Sequence, residues 1–131
     1  MTDNKKIQDF NWLGKTVLIV EDITSNYNFL RVLLRKTGID TIWVTNGKDA
    51  LSEVKNNPSI DIILLDINLP LMNGYEAAAM IKEIRQNMPI IAQTAYALEG
   101  DMGKSLDAGC DDYISKPIEI FKLLNMMNKY L

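Results

Sequence analysis

The sequence contains no histidine. That removes Ser-His-Asp and Cys-His catalysis, histidine-ligated zinc and haem, and any phosphohistidine on these residues. It contains one cysteine, Cys110, which rules out an internal disulfide and every multi-cysteine metal site. A single free thiol suits a reducing, cytoplasmic setting. Apolar runs extend only a few residues, against the roughly 20 needed to span a bilayer. The opening stretch MTDNKKIQDF lacks the apolar segment of a signal peptide. Positive charge is also scarce: 14 Lys and Arg stand against 17 Asp and Glu, for a net charge of −3. A protein that grips nucleic acid by its phosphates needs clustered positive charge, so neither nucleic acid nor membrane is expected as a partner. What is present is ordinary for a globular protein. The 131 residues are 47% hydrophobic and 24% charged, enough for one domain with a core that needs no disulfide or metal.

Residues 1–14 stand apart as a leader or linker segment, polar at first and then carrying Phe10, Trp12 and Leu13 without a clear period. Their aromatic end either packs on the domain edge or is the tail of a linker from a larger parent protein. From Lys15 onward, residues 15–131 read as one domain. Val17–Val20 is a short β-branched run of the kind buried on both faces. Thr24 or Ser25 is expected to cap a helix carrying Phe29, Leu30, Val32, Leu33 and Leu34, which Gly38 stops. Ile39–Val44 is a second strand, and Asn46-Gly47 opens a helix with Ala50, Leu51 and Val54 on one face. Ile60–Leu65 is a third strand ending at Asp66. After the loop 67–74, residues Tyr75–Gln86 place Ala77, Met80, Ile81 and Ile84 at helical spacing. Ile90–Gln93 is a fourth strand. Leu98, Met102 and Leu106 then form a thin helical stripe, weakened by Gly100 and Gly103. Asp112–Ser115 is a fifth strand. Pro117 starts the last helix, with Ile120 or Phe121, Leu124 and Met127 inward.

Strand and helix alternate five times. Parallel strands need crossover connections, so the expected fold is α/β: a flavodoxin-like, doubly wound, five-stranded parallel sheet of order 2-1-3-4-5 with five helices. In such sheets, ligands bind beyond the carboxyl ends of the strands. Glu21 and Asp22 follow strand one, Asp66 ends strand three, Thr94 follows strand four and Lys116 follows strand five. Each has an ordinary reading taken singly, as a cap, a turn residue or a solvated charge. Together, three carboxylates at one sheet edge repel unless something positive joins them. One Lys plus one divalent cation brings the formal sum to zero, and oxygen-only ligands suit Mg²⁺.

Four separated stretches carry a resemblance to a known family. They are Val20-Glu21-Asp22-Ile23-Thr24-Ser25-Asn26, Leu65 through Gly74, Thr94-Ala95, and Asp112-Tyr113-Ile114-Ser115-Lys116-Pro117. In order and spacing this set resembles the CheY-like receiver domain of response regulators in two-component signalling. The resemblance implies that Asp66 is the phosphoacceptor. Asp22 would be a direct Mg²⁺ ligand, with Glu21 its acidic neighbour reaching the metal through water and Asn68 contributing a backbone carbonyl. Thr94 would contact the phosphoryl group, and Lys116 would pair with the acceptor and then the phosphate. Thr94 and Tyr113 would form a switch acting on the fourth helix, fifth strand and fifth helix, and Lys116-Pro117 would be a cis peptide. The implied partner is a histidine kinase or histidine phosphotransfer domain, docking beside Asn26, Tyr27 and Leu30 of the first helix and the Pro117-Ile118 loop. The segment Asp9–Gly14 is similar to the stretch preceding receivers in hybrid histidine kinases. Such a domain is a signalling switch, not an enzyme with separate substrate turnover. Departures from the family pattern are Leu69, Leu71-Met72, and Gln93 where a small or apolar residue is frequent.

Two other classes share features with this reading. A phosphatase of the haloacid-dehalogenase type also uses an aspartyl nucleophile on a doubly wound sheet, but wants a second Asp where Asn68 stands. A flavodoxin-like FMN carrier needs a hydroxyl-rich phosphate loop where Glu21-Asp22 would repel phosphate.

Overall fold

The computed structural model describes residues 5–95 and 101–131, apart from the side chains at 101, 102 and 105. Five parallel strands form one sheet: β1 (Thr16–Val20), β2 (Asp40–Val44), β3 (Ile62–Asp66), β4 (Ile90–Thr94) and β5 (Asp112–Ser115). Their order is β2-β1-β3-β4-β5, as expected. The helices are α1 (Thr24–Arg35), α2 (Gly47–Asn56), α3 (Gly74–Ile84), α4 (Asp101–Asp107) and α5 (Ile120–Asn128), and a short 3₁₀ turn covers Ile7–Asp9. Among the described residues no helix is long and apolar enough to cross a membrane.

The three central strands are buried along their whole length. Side chains alternate across a strand, so the sheet feeds two cores. Val17, Ile19, Ile62, Leu64 and Ile91 pack with Leu30 and Leu34 of α1 and with Leu123, Leu124 and Met127 of α5. Leu18, Val20, Ile63, Leu65, Ile90 and Ala92 pack with Ala50 and Val54 of α2 and with Ala77, Ala78 and Ile81 of α3. Each central strand thus ends with its last side chains between covered faces, at the edge where the polar residues begin.

Several helix details differ from expectation. Ile23, not Thr24 or Ser25, is the N-cap of α1, and it makes no side-chain cap bond. Helix α1 buries Tyr27, Leu30 and Leu34. Phe29 and Val32 stay about half exposed, because they fall on the opposite arc of the helix. In α3, Ala78 takes the inward place and Met80 and Ile84 lie at the rim. Leu106 of α4 is exposed rather than inward, and Leu98, Gly100 and the Met102 side chain lie outside the described residues. The last helix begins at Ile120, capped by the Glu119 carboxylate, which accepts from the Phe121 and Lys122 amides. Pro117 precedes it in a cis peptide with Lys116.

The aromatic end of the leader is core. Phe10 and Trp12 are both buried, with ring centroids 5.5 Å apart. The Trp12 indole N–H donates to Asn128 Oδ1 at the end of α5, at 3.1 Å, and its amide donates to the Thr37 carbonyl.

Candidate functional site

The site forms where β1, β3, β4 and β5 end together. Register places it: Val20 pairs with Leu65, Asp66 with Gln93, and Thr94 with Ser115. Asp66 and Thr94 are the last residues of β3 and β4, and Glu21 and Lys116 come one residue after β1 and β5, so all four reach one edge. Glu21, Asp66 and Thr94 are buried, while Asp22 and Asn68 are exposed. One carboxylate oxygen from each of Glu21, Asp22 and Asp66 lies within 4.8 Å of the others.

Lys116 binds this cluster from the fifth strand. Its Nζ donates to Asp66 Oδ2 at 3.2 Å and to Glu21 Oε1 at 3.3 Å. Charge-assisted bonds of this kind run about 2.7–2.9 Å, so one ammonium is stretched between two carboxylates. The other oxygens are held by backbone. The Asn68 amide donates to Asp66 Oδ1 at 2.9 Å, and the Ile23 amide donates to Glu21 Oε2 at 3.2 Å. The Asp66–Asn68 bond folds the β3–α3 loop back over the strand end. Gly74 permits this: a Cβ there would lie 2.6 Å from Ile67 Cα and 2.7 Å from the Asp66 carbonyl oxygen. Asn73 then caps α3 by accepting from the Glu76 amide.

The electrostatics follow from burial. Glu21 is pushed above the ordinary carboxylate value, first by burial and then by the charge of Asp66, against the pull of the Ile23 amide and Lys116. Burial alone would lower Lys116, but Asp66 and Glu21 outweigh it and hold the ammonium above its ordinary value. Three carboxylates against one ammonium leave a formal charge of −2, which one divalent cation cancels. The donors are all hard oxygens, and some waters would complete the shell, the ligand set that Mg²⁺ favours.

The structure therefore brings together Glu21, Asp22, Asp66 and Lys116, with Asn68 joined through its backbone and Thr94 one strand away. The Lys116 amide donates to the Thr94 carbonyl at 2.7 Å, which ties β5 to the end of β4. Tyr113 lies earlier on β5, half-buried and paired in register with Ala92. Of the residues named on the first helix, Asn26 and Leu30 line a groove beside the site, but Tyr27 is buried in the core. Its ring stacks on Trp43 at 4.2 Å and 5°, so it is not on a docking face. Phe29 takes its place in the groove.

Two residues with a part in the site have no motif to reveal them. The Trp43 indole N–H donates to the Glu21 carbonyl at 2.8 Å and pins the end of β1. Gln93, fully buried beside Asp66, has no hydrogen-bond partner for either side-chain polar atom among the described residues. Leaving such an amide unpaired costs about 1–3 kcal/mol. Its place before Thr94 was visible in the sequence, but its burial was not.

Residues 17–128 match the family described as the response regulator receiver domain. A similar curated protein is the hybrid signal transduction histidine kinase I of Dictyostelium discoideum, 40% identical over 131 residues. That alignment covers 94% of this chain and 8% of the kinase, so the chain spans a small part of that relative's length. Among solved structures, one similar chain is the receiver domain of sensor histidine kinase PA1611 from Pseudomonas aeruginosa, with a magnesium ion coordinated in its active-site cleft. It is 34% identical with a TM-score of 0.82, over 89% of this chain and 97% of that one. Another is a co-crystal of the Saccharomyces cerevisiae histidine phosphotransfer protein Ypd1 with the receiver domain of its downstream regulator Ssk1. It is 30% identical with a TM-score of 0.83, over 90% of this chain and 89% of that one.

Proposed function

The chain belongs to the response regulator receiver family, and from that membership we propose that it takes a phosphoryl group from a phosphohistidine onto Asp66. The observation that carries this reading is a buried carboxylate at the end of the central strand. It is flanked by two further acids and touched by one ammonium.

An Asp66 carboxylate oxygen attacks the phosphorus of the donor and forms a P–O bond. The P–N bond breaks and its electron pair stays on the imidazole nitrogen. A proton already on the other ring nitrogen leaves the imidazole neutral. Phosphoryl transfer asks a protein mainly for positioning and for stabilisation of charge on the phosphoryl oxygens. Lys116 supplies a fixed positive charge 3.2 Å from the attacking carboxylate, and Thr94 supplies a hydroxyl at the neighbouring strand end. Glu21, Asp22, Asp66 and the Asn68 carbonyl would hold one Mg²⁺, which when bound neutralises charge on the transferring group. The phosphatase alternative needs an acid two residues beyond the nucleophile, and Asn68 offers only a backbone amide to Asp66.

The donor docks on the rim formed by Asn26, Phe29, Pro117 and Ile118, which adjoins Glu21 and Lys116. We assign it to a histidine kinase or a histidine phosphotransfer domain, in a cytoplasmic setting. The chain acts as a switch without a separate substrate, serving in a hybrid-kinase phosphorelay. Phosphorylation draws the Thr94 hydroxyl toward the phosphoryl group, lets Tyr113 turn inward, and alters the α4–β5–α5 surface. Incubation with a small acyl phosphate and Mg²⁺, followed by mapping of the adduct by mass spectrometry, tests the assignment. The phosphoryl group is expected on Asp66 alone, and an adduct that persists in Asp66→Asn refutes it.

A further inference from the structure

Gln93 is the one fully buried polar side chain at this edge whose polar atoms are unpaired among the described residues. It neighbours Asp66 in the β3–β4 register. It also lines, with Glu21 and Lys116, a groove of about 250 Å³ walled by Phe29, Leu30 and Ile118. An apolar side chain of the same length would fill that place with no polar atom to desolvate. A buried amide without a protein partner is free to take one when its surroundings change.

Lys116 shares the groove and points to that state. Its ammonium has three N–H donors, and two of them go to Asp66 and Glu21. In the resting protein the two carboxylates set the position of the ammonium, and Gln93 is not among its partners. Phosphorylation of Asp66 moves the charge that holds it. One of the two carboxylates holding the ammonium is then an acyl phosphate, whose charge sits on the phosphoryl oxygens, farther from the backbone than the original carboxylate. Lys116 must follow that charge, and its position is no longer fixed by a symmetric pair of anions.

We propose that Gln93 is a positioning residue for Lys116, its amide oxygen accepting a hydrogen bond from Nζ as the phosphoryl group arrives on Asp66. This rests on the phosphoacceptor reading above. The amide gives the ammonium a third, neutral anchor, so that it reaches the phosphoryl oxygens in one orientation. The resting protein carries the unpaired amide as the cost of that readiness.

The test uses Gln93→Met, which keeps length and burial without the amide, and Gln93→Leu as a second apolar variant. Each is compared with the wild type by thermal melts and by the rate of Asp66 phosphorylation from a small acyl phosphate at saturating Mg²⁺. The expected result has three parts. Both variants melt higher than the wild type, the half-saturating donor concentration is unchanged, and the saturating rate falls about ten-fold, equivalent to about 1.4 kcal/mol. Variants that melt higher but keep the wild-type rate overturn the proposal, because Gln93 is then only an unpaired core amide. Variants that melt lower also overturn it, because the amide is then paired at rest. A wild-type protein that takes no phosphoryl group under these conditions overturns the phosphoacceptor reading itself.

Discussion

Replacing Asp66 with Asn should make the metal-free protein more stable, although it removes a buried ion pair. Asp66 is 2% exposed, and its carboxylate lies within 4.8 Å of those of Glu21 and Asp22. At an effective dielectric constant of about 20, unit charges at that separation repel by about 3.5 kcal/mol. On the same scale Lys116, 3.2 Å away, attracts Asp66 by about 5 kcal/mol. Buried Glu21 exerts its repulsion in full, while water around exposed Asp22 weakens its share by about half. Repulsion and attraction at Asp66 then nearly cancel, and burial decides the sign. Holding an ion out of water costs several kcal/mol even after relaxation. Asn keeps the shape and the oxygen that accepts from the Asn68 amide, and it drops the charge. The expected gain is about 2 kcal/mol, or roughly 5–10 °C in melting temperature for a domain of this size. Melts followed by circular dichroism in EDTA measure it. Added Mg²⁺ should then raise the wild-type midpoint and leave that of Asp66→Asn nearly unchanged. An Asp66→Asn protein that melts below the wild type in EDTA would refute the reasoning, since Asp66 would then be a structural carboxylate.

Further outcomes follow from other parts of the molecule. Trp12→Ala, which empties a core site and strands Asn128, should cost about 3–5 kcal/mol in urea unfolding, whereas Trp12→Phe should cost about 1 kcal/mol for the lost hydrogen bond. Glu21, raised above its ordinary 4.5 by burial and by Asp66, binds a proton in the fold before it does in the unfolded chain. Metal-free stability should therefore fall as pH rises from about 4.5 through the raised value, and melts across that window should show the fall in the wild type but not in Glu21→Gln. Thr94→Ala should still accept a phosphoryl group on Asp66 yet lose the change in amide exchange over residues 101–115 that phosphorylation brings to the wild type. A full wild-type change in that variant would break the proposed coupling.

The sheet was legible because β1, β3 and β4 are short, mainly apolar runs closed by a polar residue, and parallel order then carries those closing residues to one edge. Glu21, Asp22, Asp66 and Lys116 could be grouped from that rule alone. Side-chain direction was less legible. Phe29 and Leu30 are adjacent and equally apolar, and only the docking of α1 on Ile19 and Leu64 decides which is buried. Tyr27 looked available for a partner because nothing local shows that Trp43, sixteen residues on, stacks upon it. The Trp12–Asn128 bond joins residues 116 apart in sequence, beyond any local pattern, so the leader's aromatic end read equally well as edge or linker. Gln93 shows the same limit at the site. Its residue type and its place before Thr94 are in the sequence, but burial without a partner is a property of the packed fold.

Transfer of a labelled phosphoryl group tests the central claim most directly. A histidine phosphotransfer domain carrying radiolabelled phosphohistidine is mixed with this chain, with Asp66→Asn, and with the wild type in EDTA. The account predicts that label moves from the donor to the wild-type chain in Mg²⁺ and fails to move in the other two. Label that reaches Asp66→Asn, or transfer that proceeds equally in EDTA, would contradict it.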